Sequence, residues 1–547
     1  MKIIVALIIV GLLGVTVPDI EVRSVSAERF LVLDKFGRLA EEVVVVDWEG
    51  YIANPAMAYS ILPPDDAAYP LTVTLRADHP RLHFDVPSTV GENGPEKILR
   101  FINPAPQTFY VAIWHDDDSS DELYALTLDI SEANGTSGQI ELPIMVIDQD
   151  QLRPPDFQLA FQFIDQGQGF FDESEDGNLR KSIAREAAQS WAYFLADMDF
   201  DEVPARDEQF FVWDADGFYE TGQMFVNEQA FTGFLFVFST KDTPVPPYTV
   251  NELRSGAQAL GHGWQTRDGQ TIRNAVGDSL FKRSATVEFE VKGNYNDLGW
   301  ILNLNDDDWW RYLPTYNDPT DLFSVALHEA AHGLAFDHRH YAGLRDAPVG
   351  GVTSPQILEY YGEPVVSDEV THFSTIIDPA SRRGVFGNDF HHRPGYMPQY
   401  RWVITKLDLL LLQAAGYELR ETSAFIPLQV PAEELVIEGI VGQPLRFKIA
   451  ATGGIPPYNF VDKECRLLLP GGLMLNSWSG VISGTPQEAG IFEVTVEIED
   501  YDSTTPRQTT SILLVVRGEA GQDVVDLPSW ADVRVEGCDT KSDDAVE

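Results

Sequence analysis

Along residues 28 to about 150, apolar positions alternate with polar ones in short runs such as Val43 to Val46, Leu71 to Leu75 and Phe109 to Ile113, broken by Pro, Gly, Asn and Asp. A period of two predicts strands with one face on a core, and the frequent turn residues predict an all-β sandwich. The pattern changes after Pro154-Pro155. Leu179, Ile183, Ala187 and Trp191 recur every fourth residue, the spacing of one helix face, while Phe234 to Phe238, Thr286 to Val291 and Trp300 to Leu304 read as strands. A helix is predicted from about Leu322. Another begins at Thr405, where Thr405 and Asp408 have capping-box spacing, runs through Leu409 to Leu412 and stops at Gly416. From residue 423 to about 518 short alternating strands return, and an acidic tail follows from Glu519.

Composition bounds this picture. A chain of 547 residues exceeds what one hydrophobic core organises, and its 44% hydrophobic content excludes wholesale disorder. The net charge of -47, from 85 acidic against 38 basic residues, argues against nucleic acid or an anionic membrane surface as partner. Most of these carboxylates read as a solvated surface. Lys2, the apolar run Ile3 to Val17 and the small-residue stretch Val25-Ser26-Ala27 read as an export signal over residues 1–27, which places the protein outside the cell or at its surface. An uncleaved anchor is the alternative, and no span is expected beyond this segment. Cys465 and Cys538 are the only cysteines, too few for a disulfide scaffold.

The chemistry concentrates in Leu327-His328-Glu329-Ala330-Ala331-His332. Two histidines four apart share one helix face, so both imidazoles can point at one metal ion, and Glu329 is placed to take a proton from an attacking water. His338 offers a third nitrogen, matching the three protein ligands of a catalytic zinc. The bland alternative, core histidines on an apolar helix, leaves Glu329 unexplained.

The stretch from His328 to Asp337-His338 resembles the elongated zinc motif of metzincin metallopeptidases, and its Asp-His ending is similar to the matrixin branch. Upstream, Asn303 to Trp310 is similar to the matrixin edge strand, whose acidic run binds calcium. The resemblance implies a structural Ca2+ site at Asn305, Asp307 and Asp308, with a solvated acidic turn as the alternative. Asn303 stands where matrixins have a histidine, which disfavours a second zinc. Met397, in Gly395-Tyr396-Met397-Pro398-Gln399-Tyr400, resembles the methionine turn beneath the metal, and Pro398 and Tyr400 resemble the wall of the substrate pocket. Leu407 to Tyr417 looks like the closing helix of secreted metzincins.

Three departures from the family stand out. Ala335 replaces a glycine that lets the helix turn toward the third ligand, so either Ala335 accepts a strained left-handed backbone or Gly333 begins the turn earlier. His338 and Met397 lie 397 − 338 = 59 positions apart, which implies an insertion over 339–395. No cysteine precedes the region, so residues 28–150 are not a matrixin propeptide. Glu359 is the alternative carboxylate ligand of a gluzincin-type site, and His340, His372, His391 and His392 read as ordinary surface or core histidines.

Gly453-Gly454-Ile-Pro456-Pro457-Tyr458, Leu469 to Leu473, Ser479 to Pro486, Ala489-Gly490 and Asp500 resemble a bacterial immunoglobulin-like, cadherin-related domain. Such a module either attaches the chain to a cell-surface or matrix polymer or acts as a spacer. The expected fold is multidomain. It has a β-sandwich-like module at 28–150, an α/β (α+β) zincin catalytic domain of metzincin type at 155–422, an Ig-like sandwich at 423–518 and the tail at 519–547. The expected activity is that of a secreted Zn2+-dependent metalloendopeptidase acting on protein or peptide substrates. The rival is an extracellular adhesion or polymer-binding protein with a degenerate peptidase fold.

Overall fold

The computed structural model describes residues 30–50, 52–84, 96–115, 119–150, 153–213, 222–242, 257–273, 281–292, 300–301, 320–336, 351–366, 376–384, 403–431, 435–462, 469–502 and 506–518. The expected export signal, the acidic tail and both cysteines lie outside these residues.

The first module is a sandwich. One sheet runs in the order Leu31–Asp34, Met57–Leu62, Gln107–Ile113, Leu82–His83, and the other in the order Val43–Asp47, Ser137–Asp148, Glu122–Glu132, Leu71–Ala77, Glu96–Phe101. Alternation does what the sequence pattern requires of it: Leu71, Val73 and Leu75 are buried, with Thr72 and Thr74 between them on the outer face. Val43–Asp47 is buried at every position, a strand covered on both faces.

In the central region Leu159–Ile164, Phe234–Asp242 and Ser284–Lys292 pair in parallel, and Ala257–His262 adds an antiparallel edge beside the last of them. The run Phe234 to Phe238 is apolar throughout because both faces of its strand are covered. Phe234, Phe236 and Phe238 face the helices, while Leu235 and Val237 join Phe210 and Val212 of a hairpin, Gln209–Trp213 and Gly222–Val226, on the other side. Helix α1 spans Glu175–Tyr193 behind its N-cap Ser174, and α2 spans Leu322–Leu334 behind Asp321. Trp300–Ile301 pairs with Thr320–Asp321, and the rest of the strand expected up to Leu304 lies outside the described residues.

Two further helices follow, α3 over Pro355–Tyr361 and α4 over Lys406–Ala414. The capping box read from Thr405 and Asp408 is present: Thr405 Oγ1 accepts from the Asp408 amide at 3.2 Å, and Asp408 Oδ2 accepts from the Thr405 amide at 2.9 Å. Asp378, completely buried, ties both helices to the segment between them. It accepts from the Tyr360 hydroxyl at 2.9 Å, the Ser381 amide at 2.8 Å and the Leu407 amide at 3.0 Å. Burial pushes its carboxyl above the ordinary range, and hydrogen bonds from Ser381, through both its amide and its hydroxyl, Tyr360 and Leu407 pull it back.

The C-terminal sandwich has one sheet in the order Leu435–Ile440, Gln508–Arg517, Gly490–Glu499, Asn459–Asp462 and a second in the order Leu445–Lys448, Val481–Gly484, Leu473–Leu475. They close over a separate core that includes Ile449, Val496, Ile498 and Leu514. Gly454, at φ +62°, leaves room only for Asp500, whose Oδ2 accepts from the Ile455 amide at 3.0 Å.

The chain is therefore multidomain and, among the described residues, mostly β, with 43% strand against 14% helix; the α/β character expected of residues 155–422 appears among them as one four-stranded sheet and its helices. The N-terminal sandwich is not a loosely tethered flank. Its buried apolar side chains run without a break into those of the central region, and the Ala53 and Ala56 amides donate to Ile404 O at 2.7 Å and Ala380 O at 2.9 Å. Arg383 meets His83 Nε2 at 2.9 Å and lies over the Trp114 ring.

Candidate metal centre

Helix α2 begins where Asp321 accepts from the Ser324 amide at 3.0 Å, and its face of Leu322, Phe323, Ala326, Leu327, Ala330, Ala331 and Leu334 is buried. Gly333 sets how closely it lies on the sheet, since a Cβ there would stand 2.8 Å from Ala285 Cβ and 3.2 Å from Phe236. Overpacking of this kind costs about 1–3 kcal/mol, against about 1 kcal/mol that alanine gains over glycine within a helix. Gly333→Ala is accordingly expected to lower the urea midpoint of unfolding; an unchanged or higher midpoint would show that the helix can lift without loss.

His328 and His332 stand one turn apart with their Nε2 atoms 3.1 Å from each other and their rings nearly perpendicular. His332 Nδ1 lies 2.7 Å from Phe336 O. A carbonyl oxygen only accepts, so Nδ1 carries the proton and Nε2 keeps its lone pair, the tautomer a metal ligand needs. Two nitrogens bound to one tetrahedral zinc at 2.0–2.1 Å stand about 3.3 Å apart, so this pair fits one ion. Glu329 is buried beside them, 4% exposed.

The end of α2 differs from the sequence expectation. Ala335 has φ −164°, extended backbone open to any residue, so neither a left-handed alanine nor an early turn at Gly333 is needed. The chain turns because Ala331 O accepts from both the Ala335 amide at 2.9 Å and the Phe336 amide at 3.1 Å, which carries Phe336 O back over His332. Two side chains from elsewhere hold this helix: Trp191 Nε1 donates to Leu327 O at 2.9 Å and the Tyr417 hydroxyl donates to Leu334 O at 3.2 Å. The apolar spacing of α1 and the closing Gly416-Tyr417 placed both residues on their elements, but no local signal marks either as a partner of α2.

His328, Glu329 and His332 are thus brought together. His338, Asn305, Asp307, Asp308, Met397, Pro398 and Tyr400 lie outside the described residues, as do His340, His372, His391 and His392. Glu359 sits exposed on α3. Among the described residues no group of three or more His, Cys, Asp and Glu side chains is placed to hold a metal. His262, on the antiparallel edge strand, is a structural histidine: it meets Thr286 Oγ1 at 2.9 Å, and burial pushes its pKa down to about 4.

Residues 433–516 match the family described as "Putative Ig domain", and the C-terminal sandwich is an Ig-like domain. A stretch of 94 residues is 29% identical to Matrix metalloproteinase-C of Caenorhabditis elegans, a match that covers 16% of this chain and 16% of that relative's length. Among solved structures, mouse Cadherin-23 EC22-24 is 9% identical with a TM-score of 0.16, covering 89% of this chain and 99% of that one. The E. coli chaperone DraB is 11% identical with a TM-score of 0.15, covering 20% and 53%. Scores this low bear on neither fold nor function.

Proposed function

We propose that this chain is a secreted zinc-dependent metalloendopeptidase whose central region is a metzincin-like catalytic domain of the matrixin type. The observation that carries the reading is the pair of Nε2 atoms 3.1 Å apart, with the His332 tautomer fixed by Phe336 O and Glu329 next in the helix. His328, His332 and His338 would hold the metal. Bound zinc supplies a Lewis acid that polarises the scissile carbonyl and makes water a nucleophile near neutral pH. Glu329 takes the proton of the attacking water and delivers it to the leaving amine. Its burial keeps that carboxylate out of bulk solvent, where proton transfer to the substrate competes best with loss to water.

In this reading Met397 supports the site from below, Pro398 and Tyr400 wall the substrate pocket, and Asn305, Asp307 and Asp308 supply hard oxygen ligands for a structural calcium. The Ig-like domain spaces the enzyme from a surface or attaches it to a polymer. Purified protein is expected to carry stoichiometric zinc and to cleave denatured protein mixtures at sequenceable sites, with activity lost to a chelator and restored by zinc. Protein without zinc, or zinc-loaded protein that cleaves nothing, would favour the adhesion reading instead.

A further inference from the structure

Trp191 belongs to α1, 136 residues before Leu327 in the chain, yet it touches the chain on both sides of the histidine pair. On the N-terminal side its indole N–H donates to Leu327 O, the carbonyl just before His328, at 2.9 Å. That oxygen also serves the helical ladder, so the indole uses the lone pair left over. On the C-terminal side its ring packs on Phe336 with centroids 5.5 Å apart, and Phe336 is the residue whose carbonyl receives the His332 Nδ1 proton. Trp191 is completely buried and Phe336 nearly so. The small residues Ala184, Ala187 and Ala188 on the same helix are also buried, which lets α1 approach closely enough for one side chain to reach both places.

Resting on the zinc reading above, we infer that Trp191 is a positioning residue for the metal site: one side chain fixes the start of the His328–His332 turn and the carbonyl that sets the His332 tautomer. Its role is separable from core packing in general. Loss of a tryptophan that only filled volume and satisfied its own N–H would lower stability without altering how tightly the folded protein binds metal. A clamp on a ligand-orienting carbonyl acts on affinity, and removing an outer-shell partner of a metal-ligating histidine typically costs about 10–100-fold in metal affinity.

The test is the zinc dissociation constant of the full chain, measured by competition with a chromophoric chelator on protein shown by near-ultraviolet dichroism to be folded. Trp191→Phe removes the N–H and is expected to weaken zinc about tenfold or more. Phe336→Leu keeps the carbonyl but loses the ring contact; it is expected to weaken zinc as well, and serves if Trp191→Phe does not fold. Phe289→Leu, in the same core but packed on Phe170 and Phe171, is the control for lost stability and is expected to bind zinc as the parent does. The inference is overturned if folded Trp191→Phe binds zinc like the parent, if Phe336→Leu does so where Trp191→Phe does not fold, or if the control loses as much affinity as they do. A parent protein that binds no zinc overturns the metal reading itself, and the clamp with it. A zinc-loaded parent beside an unaltered Trp191→Phe removes the clamp alone.

Discussion

Glu329→Gln is expected to leave zinc bound and to lower peptide hydrolysis by about 10²–10⁴-fold. Glutamine has nearly the shape of glutamate, and Glu329 is buried at 4% exposure, so the substitution opens no cavity and asks for no rearrangement of α2. Only the capacity to accept a proton is removed. The two histidines keep their spacing and the Phe336 carbonyl keeps the His332 tautomer, so the metal content read by atomic emission should match the parent. His328→Ala would behave differently, losing metal and activity together, because it removes a ligand and leaves Glu329 intact. Full activity in Glu329→Gln would end the mechanism proposed here. Loss of zinc in the same variant would reassign Glu329 from proton carrier to a member of the metal-holding set.

The helix that carries this chemistry was legible in the sequence because it is built from local rules. An apolar face and a four-residue histidine spacing act within one or two turns, and the capping box at Thr405 and Asp408 is likewise a local code. The Gly453-Gly454 and Asp500 pattern also corresponds to an observed contact, since glycine at a left-handed position leaves the space that the aspartate fills. The turn after α2 is not legible in the same way. Sequence identity suggested which residue breaks the helix, but not that shared acceptance at Ala331 O turns the chain with φ −164° at Ala335. Trp191, Asp378 and Glu49 carry no signature of their distant partners, because Leu327, Leu407 and Ser423 lie tens to hundreds of positions away in the chain, and a single residue type shows nothing of such partners.

Of these, Glu49 carries the largest expected effect on stability, with Glu49→Ala costing about 2–4 kcal/mol. The carboxylate is completely buried at the end of the N-terminal sandwich. Its Oε1 accepts from Arg153 Nη2 at 2.7 Å and from the Tyr193 hydroxyl at 3.0 Å, and its Oε2 accepts from the Ser423 amide at 3.1 Å. One side chain therefore joins the linker, the last residue of α1 and the segment after α4. Arg153 is 38% exposed and can turn to water, so its share of the loss is small. The Ser423 amide is buried and cannot, and an orphaned buried donor costs about 1–3 kcal/mol. Glu49→Gln keeps one acceptor oxygen and should fall between the parent and the alanine variant. The measurement is urea unfolding followed by tryptophan fluorescence, with Trp48 in the sandwich and Trp191 in α1 as reporters on either side of the junction. The N-terminal and central regions are expected to unfold together in the parent, since they share one apolar core, and earlier or apart in Glu49→Ala. A variant that unfolds at the parent's midpoint would mean that shared apolar burial alone joins the two. The expected loss would make the N-terminal sandwich part of the folding unit that supports α2, not a segment that can be shed to switch the proposed peptidase activity on.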